Sequence, residues 1–115
     1  MSLRFVLLIL LLQSAYSQQC TCEEACAETH REKIGRATWF LIHEIASKVT
    51  YSKEAEESFR NFILSLEQIY PCGVCRNHIQ KMNLTRDAIK LSVEWACEFH
   101  NKVNLQLGKP IVKCN

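Results

Sequence analysis

The chain has 115 residues, with 14 Lys and Arg against 12 Asp and Glu and a net charge of +2. That length allows one domain around one core. Without Arg4, which falls in a leader segment, the rest is close to neutral, a balance that points away from nucleic acid and acidic membrane surfaces as partners.

The first element is that leader. Arg4 precedes an apolar run from Phe5 to Leu12, and Ala15-Tyr16-Ser17 offers small residues at the spacing a signal peptidase needs, so residues 1–17 are expected to be a signal peptide cleaved before Gln18. The run is far shorter than the roughly 20 apolar residues of a membrane-crossing helix. A mitochondrial presequence would be an Arg-rich amphipathic helix, which an uninterrupted aliphatic block is not. The expected location is the secretory pathway, in the endoplasmic reticulum lumen or outside the cell, with no membrane span in the mature chain. Cys20, Cys22, Cys26, Cys72, Cys75, Cys97 and Cys114 would then meet an oxidising compartment. Seven is odd, so one thiol is free, or one pairs between chains, or the cysteines exchange partners as part of the work.

Residues 18–29 are polar and lack apolar periodicity, as a flexible arm would be, and they carry Cys20, Cys22 and Cys26. Thr29-His30-Arg31-Glu32 has the form of a capping box, and it opens a first helix with Ile34, Ala37, Leu41, Ile45 and Val49 at helical spacing. Ser52 caps a second, whose stripe is Ala55, Phe59, Phe62, Ile63 and Leu66, with Lys53, Glu54, Glu57 and Arg60 toward water. Pro71 ends it. A short third helix starts at Cys72 or Gly73 and runs to about Met82, and residues 83–91 carry no decisive pattern. A fourth, from about Ser92, lines up Ala96, Phe99, Val103 and Leu107 before Gly108-Lys109-Pro110 stops it. The expected fold class is all-α, an antiparallel helical bundle over residues 30–115.

Cys72-Gly73-Val74-Cys75 follows a proline at a helix start, where free amides and the helix dipole stabilise a thiolate. Its spacing fits a redox pair, a structural disulfide or half a zinc site, although export disfavours reduced zinc ligands and no metal is expected. On the fourth helix, Cys97, His100, Asn101 and Asn104 form a neutral polar stripe suited to hydrogen-bonding a flat heterocycle, or equally a polar surface face. Gly35, Trp39 and His43 form a matching stripe on the first helix, where Trp39 serves as a stacking surface or as core. Cys97 and Cys114 can tie the chain end to the fourth helix, worth about 3 kcal/mol. Cys20-Thr21-Cys22 would make a strained ring if bonded, hence an easily exchanged one, unless these cysteines staple the arm or link subunits. Asn83-Leu84-Thr85 is a glycosylation sequon, a motif short enough to arise by chance.

Taken together, Gly35-Arg36-Ala37-Thr38-Trp39 with His43, Tyr70-Pro71-Cys72-Gly73-Val74-Cys75, Cys97-Glu98-Phe99-His100-Asn101-Lys102-Val103-Asn104, and Leu107-Gly108-Lys109-Pro110 ending at Cys114 closely resemble the Erv/ALR family of FAD-dependent sulfhydryl oxidases. The resemblance runs from about Arg31 to Cys114. It implies a four-helix bundle with a short fifth helix, wrapped round FAD and paired as a homodimer. By motif, Arg31, Gly35, Arg36, Trp39 and His43 would contact FAD from the first helix, and Gly73 would lie against the flavin. Cys97, His100, Asn101, Val103, Asn104 and Lys109 would contact it from the fourth helix and its exit. Cys75 would be the sulfur nearer the flavin, and Cys72 would face outward to exchange with shuttle cysteines Cys20 and Cys22. Thiol-containing client proteins or a thioredoxin-like carrier would supply the electrons, and dioxygen would take them as hydrogen peroxide. The competing expectation is a secreted, disulfide-stapled helical binding module without catalysis.

Overall fold

Side-chain caps open three helices among the described residues. Ser52, Cys72 and Ser92 hold extended backbone angles and accept hydrogen bonds from the amides of Ala55, Cys75 and Trp95, satisfying donors that a helix start leaves unpaired. The computed structural model describes residues 29–115. Its helices are α1 (His30–Lys48), α2 (Lys53–Ile69), α3 (Gly73–Lys81) and α4 (Val93–Gln106), with a short 3-10 helix at Arg86–Ala88 as the fifth helical element. There is no strand among the described residues, so the all-helical expectation holds. The leader and the cysteine-rich arm, with the expected shuttle cysteines Cys20 and Cys22 and with Cys26, lie outside the described residues. Arg31–Asn115 forms a single unit.

The core joins Ile42 of α1, Phe59, Ile63 and Leu66 of α2, Tyr70, Ile89 and Leu91 of the connections, and Ala96 and Phe99 of α4. On α2 the stripe is the expected one, with Ala55 and Phe62 packed at its edge. On α1 it is rotated. Ile42 is buried and Ile34, Trp39, Ile45 and Ala46 pack beside it, whereas Ala37 is exposed and Leu41 and Val49 are 48% and 45% exposed. α1 is apolar on two flanks, so spacing alone does not choose between them. The flank that wins carries Trp39, whose ring meets Phe99 edge-on at 5.3 Å and brings the largest apolar area to the core.

Arg60 also departs from expectation. Residues 83–91 cross over α2, and Arg60, 13% exposed, turns beneath them instead of facing water. Its Nε donates to the Ile89 carbonyl at 2.9 Å and its other nitrogens pair with Glu56 and Glu57 at 2.8 and 2.7 Å. Glu56 in turn accepts from the Leu91 amide at 3.0 Å, and Arg86 reaches back to Glu57 and Asn61. Glu57 is held below the ordinary carboxylate range, first by the hydrogen bond from Arg60 and further by the charge of Arg86. This network fixes the connection that leads into α4.

α4 stops as expected. Gly108 takes φ +67°, which only glycine adopts readily, and the Lys109 amide bonds to the Asn104 carbonyl at 2.8 Å. Leu107 lies past the last turn and is 39% exposed, so the buried stripe ends at Val103.

Candidate redox site

Pro71 keeps the residue before it out of the helical region. Tyr70 accordingly leaves α2 at φ −59°, ψ 127°, and the chain turns to place Cys72 at the start of α3. Cys72 and Cys75 are joined as a disulfide with Cα atoms 5.2 Å apart. Both residues are half-buried and pack against the core, so the pair is held on one side and reachable from the other. The Cys72 sulfur also accepts the Cys75 amide at 3.3 Å. A sulfur so placed is stabilised as a thiolate by the dipole and unpaired amides of α3.

The Tyr70 carbonyl receives both the Cys72 amide, at 2.7 Å, and the Arg76 guanidinium. The second guanidinium nitrogen of Arg76 lies 3.6 Å from the position a Cβ on Gly73 would take. A fixed cation therefore sits over the residue that follows Cys72. Among the described residues none of the ion pairs involves it. Arginine in a first helical turn runs against the helix dipole, a placement that makes sense once the disulfide opens and negative charge settles on sulfur.

An aromatic cluster forms where α1 meets α4. Trp39 stacks on His100 with ring centroids 4.0 Å apart and planes 9° from parallel. His43 Nε2 and His100 Nδ1 are 3.0 Å apart, so one ring donates and the other accepts. His100 is pushed below the ordinary imidazole range, first by burial and then by His43 and the cation of Lys109. It therefore favours the neutral form that this bond requires of its acceptor. Tyr70 links the two halves of the region. Its hydroxyl lies 3.4 Å from Thr38 Oγ1, next to Trp39 on α1, while its carbonyl anchors the dithiol turn.

The remaining site residues fall as follows. Arg31 and Arg36 are exposed on α1 and Gly35 lies between them, with nothing within 4 Å of a Cβ placed there. Gly73 opens α3. Among the described residues Asn104 is the one buried polar residue, 9% exposed, and Val103 packs at the core edge. Cys97 is bonded to Cys114 across 17 residues, Cα atoms 5.8 Å apart. Asn101 donates to the Val112 carbonyl at 2.6 Å and accepts its amide at 3.0 Å, so its carboxamide holds the chain end against α4. Thus Trp39, His43, His100 and Lys109 come together, Asn101 serves the C-terminal segment, and Cys20 and Cys22 lie outside the described residues. Sequence reasoning assigned no part to Tyr70, Thr38 or Arg76. Only Arg76 left a signal, its charge being on the wrong end of a helix. No group of three or more His, Cys, Asp or Glu among the described residues is arranged to hold a metal ion.

A Cys-x-x-Cys disulfide at a helix start, linked through Tyr70 to the helix whose Trp39 stacks on His100, marks a class of small all-helical proteins with a disulfide-capped helix. A model of the Erv1 / Alr family matches residues 36–115, and the chain belongs to that family. It is similar to the FAD-linked sulfhydryl oxidase ERV1 of Oryza sativa subsp. japonica, 30% identical over 99 residues that cover 80% of this chain and 50% of that one. The FAD-linked sulfhydryl oxidase ERV2 of Saccharomyces cerevisiae is 31% identical over 90 residues, 73% of this chain and 46% of the other. The chain thus spans about half the length of the curated relatives it matches. Among solved structures, the yeast Erv1 core superposes with a TM-score of 0.60 at 32% identity, over 73% of this chain and 76% of that chain. The FAD binding domain of Erv1 from Saccharomyces cerevisiae superposes at 0.58 and 28% identity, over 76% and 90% of the two chains.

Proposed function

We propose that this chain is an FAD-dependent thiol oxidase that forms disulfides in client or carrier proteins. The observation that carries the reading is the Cys72–Cys75 disulfide capping α3, joined through Tyr70 to the helix that bears Trp39 and His43. The residues fit a flavin dinucleotide. The stacked Trp39 and His100 rings, with His43 tilted beside them, supply aromatic faces and ring nitrogens suited to a heterocycle, the space beside Gly35 is open, and Lys109, Arg31 and Arg36 supply cations suited to phosphates.

In the proposed reaction a client thiolate attacks Cys72 Sγ. A mixed disulfide forms, the Cys72–Cys75 bond breaks, and the electron pair leaves on Cys75 as a thiolate. Cys72 is the sulfur that receives the Cys75 amide, with the Arg76 cation over the next residue, so these groups stabilise Cys72 as a thiolate when it is released in its turn. A second client thiolate attacks the sulfur bonded to Cys72 and departs with it as the client's new disulfide, leaving the enzyme pair reduced. Bound FAD supplies the two-electron acceptor that lets the pair close again, itself reoxidised by dioxygen to give hydrogen peroxide.

The arm cysteines Cys20 and Cys22 would carry electrons from clients or a thioredoxin-like carrier to Cys72, a role supported by their close spacing. The leader composition supports action in the lumen of the secretory pathway. A homodimer is supported by the outer flank of α1, where Phe40 is 69% and Leu41 48% exposed. No helix among the described residues is long and apolar enough to cross a membrane.

Colour tests the proposal. Purified full chain should be yellow, with the absorption of oxidised flavin, and should consume oxygen when given a dithiol. A natively folded protein that neither contains nor takes up FAD would instead be the disulfide-stapled binding module.

A further inference from the structure

The sequon Asn83-Leu84-Thr85 has no part in the redox site, and its placement is specific. α3 ends at Lys81, and Asn83 takes φ +51°, a left-handed conformation that asparagine tolerates. Leu84 then turns inward and packs against the core, leaving Asn83 and Thr85 both exposed on either side of it. The Thr85 hydroxyl makes no capping bond to the 3-10 helix that follows. The Asn83 amide makes only a long, exposed contact of 3.4 Å to the Lys81 carbonyl. Asn77, Gln80, Lys81 and Asn83 line an open depression, so the approach is wide.

We propose that Asn83 carries an N-linked glycan. The inference rests on the lumenal part of the proposed function, because the sugar donor, an oligosaccharide on a lipid pyrophosphate, is found in that compartment. Asn83 Nδ2 bonds to the anomeric carbon of the first sugar, the bond from that carbon to the pyrophosphate oxygen breaks, and one amide proton leaves with the pyrophosphate. Nothing is oxidised or reduced. The sugar would stand at the opposite end of α3 from Cys72 and Cys75, about 13 Å along a helix of 9 residues.

The test is expression of the full chain in eukaryotic secretory cells, alongside a version bearing an added acceptor tripeptide at its C-terminus. The wild-type chain should run one discrete step heavier than Asn83→Asp, which keeps the left-handed backbone comfortable and lacks the amide nitrogen, and than Thr85→Ala. Thr85→Ser should restore the step, and an amidase specific for N-glycans should remove it. If the added tripeptide is modified and Asn83 is not, the inference falls while the lumenal reading stands. If neither is modified, both fall.

Discussion

The two disulfides of this small protein have opposite settings. Cys97–Cys114 closes 17 residues and binds the chain end to α4, where Asn101 reinforces it through both backbone groups of Val112. Cys72–Cys75 closes only 3 residues, all in one helical turn already shaped by Pro71 and the α3 cap, so it removes little freedom from the unfolded chain. The first bond holds structure in place. The second is surrounded by groups that favour its broken form, namely the α3 amides and Arg76. Bond type therefore says little about role, and the charge and loop length around the sulfurs say most of it.

The largest effect should come from Cys75→Ser. Turnover of any dithiol should fall below detection while helicity and flavin colour remain, because the substitution removes a reacting sulfur and leaves a side chain of similar shape at the edge of the core. Oxygen uptake with the variant decides it, and retained uptake would place the chemistry elsewhere. On the other bridge the split should reverse. Replacing Cys97 and Cys114 together by serine should cost about 3 kcal/mol of stability, read by denaturant unfolding, with dithiol oxidation retained at temperatures where the fold persists. An unchanged midpoint would show that Asn101 alone secures the chain end.

Arg76 sharpens the comparison by separating charge from architecture. Arg76→Gln keeps a donor for the Tyr70 carbonyl and loses the cation, so the equilibrium of the Cys72–Cys75 pair with glutathione should move about tenfold toward the disulfide, ~30 mV. Arg76→Lys should retain most of the wild-type value. Equal equilibria for wild type and Arg76→Gln would reduce Arg76 to a clamp on the turn.

Local features carried most of the fold in the sequence. Ser52, Ser92, Pro71 and Gly108 act on neighbours within a few residues, and each stands where its chemistry requires. The rotated stripe of α1 was not legible, because Leu41 and Ile42 are equally apolar and only the docking of Trp39 on Phe99 and His100 selects between them. Arg60 bonds a carbonyl 29 residues away and Tyr70 meets a hydroxyl 32 residues away, pairings that no spacing rule contains. The ring stripes were visible one helix at a time. Their meeting required the packing of α1 on α4, and so did the division of labour that gives His100 to the rings and Asn101 to the chain end.

His100 gives the smallest effect, and it falls on the structural side. Its folded pKa lies below the ordinary imidazole value of 6.5, mainly through burial. The unfolded chain therefore binds more protons in the window between the two values, and stability must decrease as pH falls through it. Above the ordinary value both states are neutral there and the contribution is complete. Below the folded value both states are charged, and the loss levels off. Melting wild type and His100→Gln across this range should show the wild-type advantage shrinking from neutral to mildly acidic pH, with Glu57 adding its own loss only at lower pH, where its carboxylate gains a proton. A difference between the two proteins that stays constant with pH would mean that Trp39 uses His100 only as a flat surface and that the bond to His43 contributes nothing to the fold.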